Sequence, residues 1–177
     1  WTTLYGLLFS EAIFAPVHGM LPSPYLSRPM DLDTSNFRSR RASIIDTIMT
    51  TIKGGSAHQL LHDSYAKNRG RHIIGVSWHR FSIDQLLNVC SHMTPNALAF
   101  IMNQFVHNWR MASKGLPDLF VLPTEGKTGK IDIPEGLLML EIKGPSDTIR
   151  DHQRWWIHAL QMNATPAEVW HIQSKEG

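Results

Sequence analysis

Asp118 after Pro117, Glu141 and Lys143 around Ile142, and Gln153 further on have the types and spacing to cut a phosphodiester. An acid at the head of one strand and an acid-x-Lys on its neighbour can meet at one sheet edge. Glu141 and Lys143 stand two apart, so on a strand both side chains leave the same face. Asp118 and Glu141 then offer hard carboxylate oxygens of the kind Mg²⁺ prefers. Such an ion polarises a phosphoryl oxygen and lowers the pKa of a bound water. Lys143 can orient that water or offset charge on the pentacoordinate phosphorus. These parts suit hydrolysis without a covalent intermediate.

Acid-x-Lys is a common pattern, expected by chance about 0.6 times in a chain of this composition. It occurs a second time at Glu125-Gly126-Lys127, between Pro123 and Gly129. That copy reads as a solvated loop, which holds ligands less rigidly than a strand built from Leu137, Leu138, Leu140 and Ile142. The site is therefore assigned to Glu141 and Lys143. At the end of an apolar strand an unpaired Glu141 would be costly, so a metal or a lysine partner is expected there.

The elements that must position these residues follow from periodicity and punctuation. The pattern predicts a helix over 2–14, then irregular chain through Pro16, Pro22, Pro24 and Pro29. A polar, Arg-rich stretch from Thr34 and Ser35 leads into a helix over 41–53, stopped by Gly54-Gly55. Further helices are predicted over 57–67, over 83–90 opened by Ser82, and over 95–111 opened by Thr94-Pro95. After Ser113 the texture changes. Leu119 to Leu122 reads as a buried strand, 124–136 as a loop, and 137–142 as a second strand stopped by Gly144-Pro145. Ser146 and Asp147 can cap a helix from Thr148 to about Asn163, and 169–172 reads as a last strand. One domain results, with a helical first half and a strand–strand–helix–strand second half.

Composition bounds the function class without deciding it. The 177 residues are 42% hydrophobic and 18% charged, which describes a packed chain and not a disordered one. The net charge of +2 neither demands nor excludes a polyanion partner. A single cysteine, Cys90, rules out an intramolecular disulfide and suits a reducing compartment. No apolar run is long enough for a helix to span a bilayer, and no membrane partner is expected. The chain starts at Trp1 and reads as a segment of something longer.

Lys114-Gly-Leu-Pro-Asp-Leu119, Leu140-Glu-Ile-Lys-Gly-Pro-Ser-Asp147 and Gln153-Arg-Trp-Trp156 together resemble the virus-type replication-repair nuclease (VRR-NUC) domain, a branch of the PD-(D/E)xK superfamily. Thr3-Leu-Tyr-Gly-Leu-Leu-Phe9, Pro29-Met-Asp-Leu32, Ser39-Arg-Arg41 and Val76-Ser-Trp-His-Arg-Phe81 resemble the C-terminal region of the Fanconi-associated nuclease family. The resemblance runs over nearly the whole chain. It implies an α/β, restriction-endonuclease-like core with a mixed sheet flanked by helices, all of 1–177 forming one nuclease domain. A helical insertion at about 34–111 and a catalytic strand–strand–helix–strand at about 113–173 complete that expectation.

Carried over position by position, the resemblance makes Asp118 and Glu141 the metal-binding acids and Lys143 the catalytic lysine. Ile142 would lend its backbone carbonyl to the metal, and Gln153 would support the site from the helix behind. The resemblance implies a further metal-binding Glu ahead of Trp1, and Glu11 is a different position. The implied cofactor is Mg²⁺ or Mn²⁺. The implied partner is flapped, branched or crosslinked DNA, with repair proteins engaged through regions outside this segment. The implied activities are 5′-flap endonuclease and 5′-to-3′ exonuclease, in interstrand crosslink repair in the nucleus. A junction resolvase of the same superfamily and a non-catalytic DNA-binding module are the alternatives. Phosphate contacts are expected first from Arg150 and Arg154, one helical turn apart, and also from Arg40 and Arg41. His58 and His62 have the i, i+4 spacing of metal ligands but no third partner at zinc-finger spacing.

Overall fold

The structure is a computed structural model that describes residues 1–23, 25–122 and 137–172. The backbone divides into two compact units, Trp1–Ser113 and Lys114–Gly177.

The first unit is helical: α1 (Thr2–Leu8), α2 (Ser10–Ile13), α3 (Ser35–Arg40), α4 (Ala42–Lys53), α5 (Ala57–Asn68), α6 (Ile83–Ser91), α7 (Pro95–His107) and α8 (Trp109–Ala112). Caps explain several starts. The Ser82 hydroxyl accepts the Gln85 N–H while the Gln85 side chain accepts the Ser82 N–H, satisfying two orphan donors at once. Thr94 accepts from the Ala97 N–H, and Pro95 takes the first helical position, where its missing N–H costs nothing. The helix expected over 95–111 ends earlier, because Asn108 leaves helical geometry and its side chain accepts from the Met111 N–H to start α8. The helix expected over 2–14 is likewise two, divided at Phe9. Beside that break, Ser10 meets Ser64 at 2.9 Å and accepts from the Asn68 amide. The core is aromatic at its centre. Tyr5 stacks on Phe9 and Phe105 with centroids 4.9 and 5.2 Å apart, and all three rings are buried.

The lead-in to α4 is itself a helix, α3, capped by the Thr34 hydroxyl on the Asn36 N–H. Between the two, Arg41 corrects the expectation that it meets phosphate. It is 2% exposed, its Nη1 lies 2.9 Å from Asp31 Oδ2, and its guanidinium sits over the Phe37 ring. A guanidinium enclosed in this way ties Asp31 to the start of α4 and is buried away from the surface where phosphate would be met.

The second unit holds β1 (Leu119–Val121), β2 (Leu138–Lys143), α9 (Asp151–Met162) and β3 (Ala167–His171). The strand order is β1-β2-β3. β1 pairs antiparallel with β2 through Leu119 and Leu140, and β2 pairs parallel with β3 through Glu141 and Val169. The sheet is therefore mixed, and α9 makes the crossover that parallel neighbours require. β2 is buried along most of its length. β1 departs from the buried strand expected, with Leu119 at 52% and Phe120 at 40% exposure, because it is an edge of the three-stranded sheet. α9 starts at Asp151 and not at Thr148. Asp147 is spent on the Gly144 N–H, 3.2 Å away, and it is the Gln153 side chain that accepts the Arg150 N–H at the helix start. Among the described residues, no helix is long and apolar enough to cross a membrane.

Candidate active site

β2 places Glu141 and Lys143 on one face of the sheet, and both are almost wholly enclosed, at 1% and 8% exposure. Two charges can be buried together only if each finds its complement. Lys143 Nζ lies 2.8 Å from Glu141 Oε1. Gln153, in the first turn of α9, joins both. Its amide nitrogen donates to Glu141 Oε1, and its carbonyl oxygen accepts from Lys143 Nζ and from the Arg150 N–H, each at 3.0 Å. The lysine thus donates to Gln153 and is ion-paired with Glu141.

Glu141 Oε2 is buried and has no partner among the described residues. A carboxylate oxygen left without a donor in a low-dielectric site is costly, and a cation beside it removes that cost. Asp118 stands immediately ahead of β1 and is exposed. The β1–β2 ladder runs Val121 to Leu138, Phe120 to Met139 and Leu119 to Leu140. The pairing ends at Leu119; continued by one step, it would set Asp118 opposite Glu141.

Backbone direction refines this pairing. The Lys143 carbonyl accepts from Ile172 N–H at 2.8 Å, and the Met139 N–H donates to Pro166 O at 2.9 Å. These positions of β2 therefore turn their backbone groups toward β3, and the alternate positions, Ile142 among them, turn theirs toward β1. Position 118 against 141 would then be a non-hydrogen-bonded antiparallel pair, the closer of the two kinds. Pro117, next in line, has no N–H to give to the Ile142 carbonyl. Two carboxylates and one backbone carbonyl make an all-oxygen donor set, which fits a hard divalent cation and not a thiophilic one. Among the described residues no three His, Cys, Asp or Glu side chains are grouped to hold a metal.

Of the arginines expected to touch phosphate, Arg150 is exposed at the start of α9, beside the Gln153 network. Arg154 is exposed one turn on, with its Nη2 3.5 Å from Ile149 O. Arg40 is exposed at the end of α3 in the helical unit, while Arg41 is buried as described. His58 and His62 are exposed on α5. Glu125 and Lys127 lie outside the described residues. Two contacts escaped sequence reasoning: Trp156 Nε1 donates to the Lys114 carbonyl at 3.2 Å, and the His152 ring lies against Gly115. The glycine three residues ahead of Asp118 was the available signal for the second.

Residues 52–174 match the family model of the VRR-NUC domain. The Fanconi-associated nuclease 1 homolog of Oryza sativa subsp. japonica is 29% identical over 169 residues, covering 96% of this chain and 17% of that protein. The homolog of Pseudomonas aeruginosa is 28% identical over 176 residues, covering 96% of this chain and 30% of that protein. The chain thus spans under a third of the length of these relatives. The crystal structure of paFAN1 bound to 2nt 5′ flap DNA with gap superposes with a TM-score of 0.84 at 26% identity, covering 97% of this chain and 30% of that one.

Proposed function

The chain belongs to the VRR-NUC domain family, and on that premise we propose that it is a metal-dependent DNA nuclease that hydrolyses phosphodiesters in flapped or branched DNA. The observation that carries this reading is the buried Glu141–Lys143–Gln153 cluster, with the undonated Glu141 Oε2 on the strand that faces Asp118. Asp118, Glu141 and the Ile142 carbonyl would hold Mg²⁺ or Mn²⁺. Such a cation would supply Lewis acidity, making a water acidic and offsetting charge on a phosphoryl oxygen. Lys143, held by Gln153 and Glu141, would direct an N–H at the attacking water or at the charge that develops on phosphorus. Gln153 holds both Lys143 and Glu141 in place. Arg150 and Arg154, with Arg40, contact the phosphate backbone of the substrate.

The finer reading is 5′-flap endonuclease and 5′-to-3′ exonuclease action in interstrand crosslink repair, in the nucleus. All of 1–177 serves as one nuclease domain, with the helices of 34–111 inserted ahead of the catalytic elements of 113–173. The flap part of this reading is supported by the 5′ flap DNA bound in the paFAN1 structures. The test is cleavage of end-labelled 5′-flap, 3′-flap and four-way-junction DNA, with Mg²⁺, with Mn²⁺ and with chelator. Metal-dependent cuts near the 5′-flap junction are expected. Preferred, symmetric cutting of the four-way junction would make the chain a resolvase, and binding without cutting in either metal would make it a non-catalytic module.

A further inference from the structure

The acids of the site stand on different segments, and the short pairing between those segments is weak. Among the described residues β1 pairs with β2 at three positions and is largely exposed at the sheet edge, which restrains it weakly. The distance between Asp118 and Glu141 therefore needs a second restraint. α9 supplies one, because it touches both sides.

On one side, Gln153 bonds Glu141 and Lys143 of β2. On the other, His152 and Trp156, four apart and so on one face of the helix, meet the turn that leads to Asp118. The Trp156 ring is 2% exposed and its N–H donates to the Lys114 carbonyl at 3.2 Å. A buried indole N–H is a donor that must find an acceptor, so this bond fixes where that carbonyl sits. The next residue, Gly115, has φ +83°, and a Cβ there would fall 2.2 Å from His152 Cδ2. The glycine backbone is thus pressed against the imidazole, in a conformation that other residues rarely adopt. The turn is held at consecutive positions, by a hydrogen bond and by contact. Only Leu116 and Pro117 separate it from Asp118, which places the acid within about 10 Å of chain from the clamp. Pro117 further narrows the path by fixing its own φ.

We propose that His152 and Trp156 are positioning residues that hold the Lys114–Gly115 turn and so set Asp118 opposite Glu141. Resting on the metal-site reading above, the inference makes α9 a rigid caliper. The first two turns of one helix carry both Gln153 for one acid and the His152–Trp156 face for the other. The spacing of the acids then follows from the helix and not from the three-pair ladder.

The test measures Mn²⁺ binding to the chain by water-proton relaxation, beside DNA affinity in chelator and the thermal midpoint. The proteins are the wild type, Asp118→Ala, Trp156→Phe, which keeps an aromatic ring but loses the N–H, and His152→Ala. Outer-sphere supports of a metal site are worth about 10–100-fold in affinity. Trp156→Phe is therefore expected to raise the Mn²⁺ dissociation constant about tenfold, with DNA affinity in chelator unchanged. His152→Ala is expected to act in the same direction. Mn²⁺ affinity within twofold (roughly, the scatter of ordinary surface changes) of wild type in both variants, while Asp118→Ala loses binding, overturns the positioning role and leaves the metal site standing. Wild-type Mn²⁺ binding by Asp118→Ala overturns the metal site itself. A lowered thermal midpoint with unchanged Mn²⁺ affinity of the folded protein assigns both residues to stability alone and overturns the inference.

Discussion

Lys143 Nζ lies 2.8 Å from Glu141 Oε1, and neither side chain has more than a sliver of surface in contact with solvent. Such a pair is poor value for stability, since apolar residues of similar volume would do as well or better. Its retention on a strand otherwise made of Leu138, Met139, Leu140 and Ile142 is explained by chemistry, with one carboxylate oxygen neutralised by the lysine and the other left open.

The pair should respond asymmetrically to mutation. Lys143→Met leaves Glu141 as an uncompensated buried charge and is expected to lower stability by about 3–5 kcal/mol. Adding Glu141→Gln to it should recover most of that loss, while cleavage stays absent in both. Urea unfolding of the single and double variants, run with a flap-cleavage assay, measures the coupling. Additive destabilisation would mean that the two side chains do not depend on each other.

Gln153→Leu removes the amide that serves Glu141, Lys143 and the Arg150 N–H together. We expect stability to fall by about 2 kcal/mol and single-turnover cleavage to fall at least about tenfold. Loss of stability with undiminished cleavage at a temperature where the variant is folded would reduce Gln153 to a helix cap.

Arg41 and Arg150 should separate cleanly. Arg41→Ala strands the buried Asp31 and should cost about 3–5 kcal/mol of stability, leaving the salt dependence of DNA binding unchanged. Arg150→Ala should leave the melting curve near wild type. It should flatten the plot of log affinity against log salt by about 0.9, one phosphate contact. Fluorescence anisotropy across a salt series, beside thermal melts, tells the two apart.

Cys90 is 6% exposed, and burial pushes its thiol up from the usual 9.0 to about 11. The unfolded chain therefore ionises first as pH rises. The stability contributed by keeping the thiol neutral is complete below about pH 9 and is lost as pH climbs through 11. Cys90→Ala should flatten the decline of stability over that window, as followed by urea melts from pH 8 to about pH 11. At neutral pH, alkylation of Cys90 by iodoacetamide should be far slower than that of a free thiol.

How much could be read from the chain alone depended on how local the governing interaction is. Helix caps at Ser82 and Thr94 and the alternation that puts Glu141 and Lys143 on one face arise from neighbours a few residues apart, and sequence contains them. So, too, the change from helical to strand texture near Ser113 was visible, because hydrophobic periodicity is a local property. Arg41 was not legible. A charged residue in a run with Arg38 and Arg40 reads as surface, and only the return of Asp31 beside α4 makes it core. The start of α9 was misplaced for a similar reason, since Asp147 and Gln153 each had two uses and the fold chose between them.

What sequence determined by itself is the list of reactive groups, the strand or helix that bears each, and the family to which their motifs point. What tertiary structure alone decided is which groups meet: Lys143 against Glu141, Gln153 between acid and lysine, the Gly115 backbone against His152. Spacing along a chain sets the face from which a side chain leaves. Its partner is selected by the packing of segments far apart in sequence, where burial makes each unmatched donor, acceptor or charge expensive.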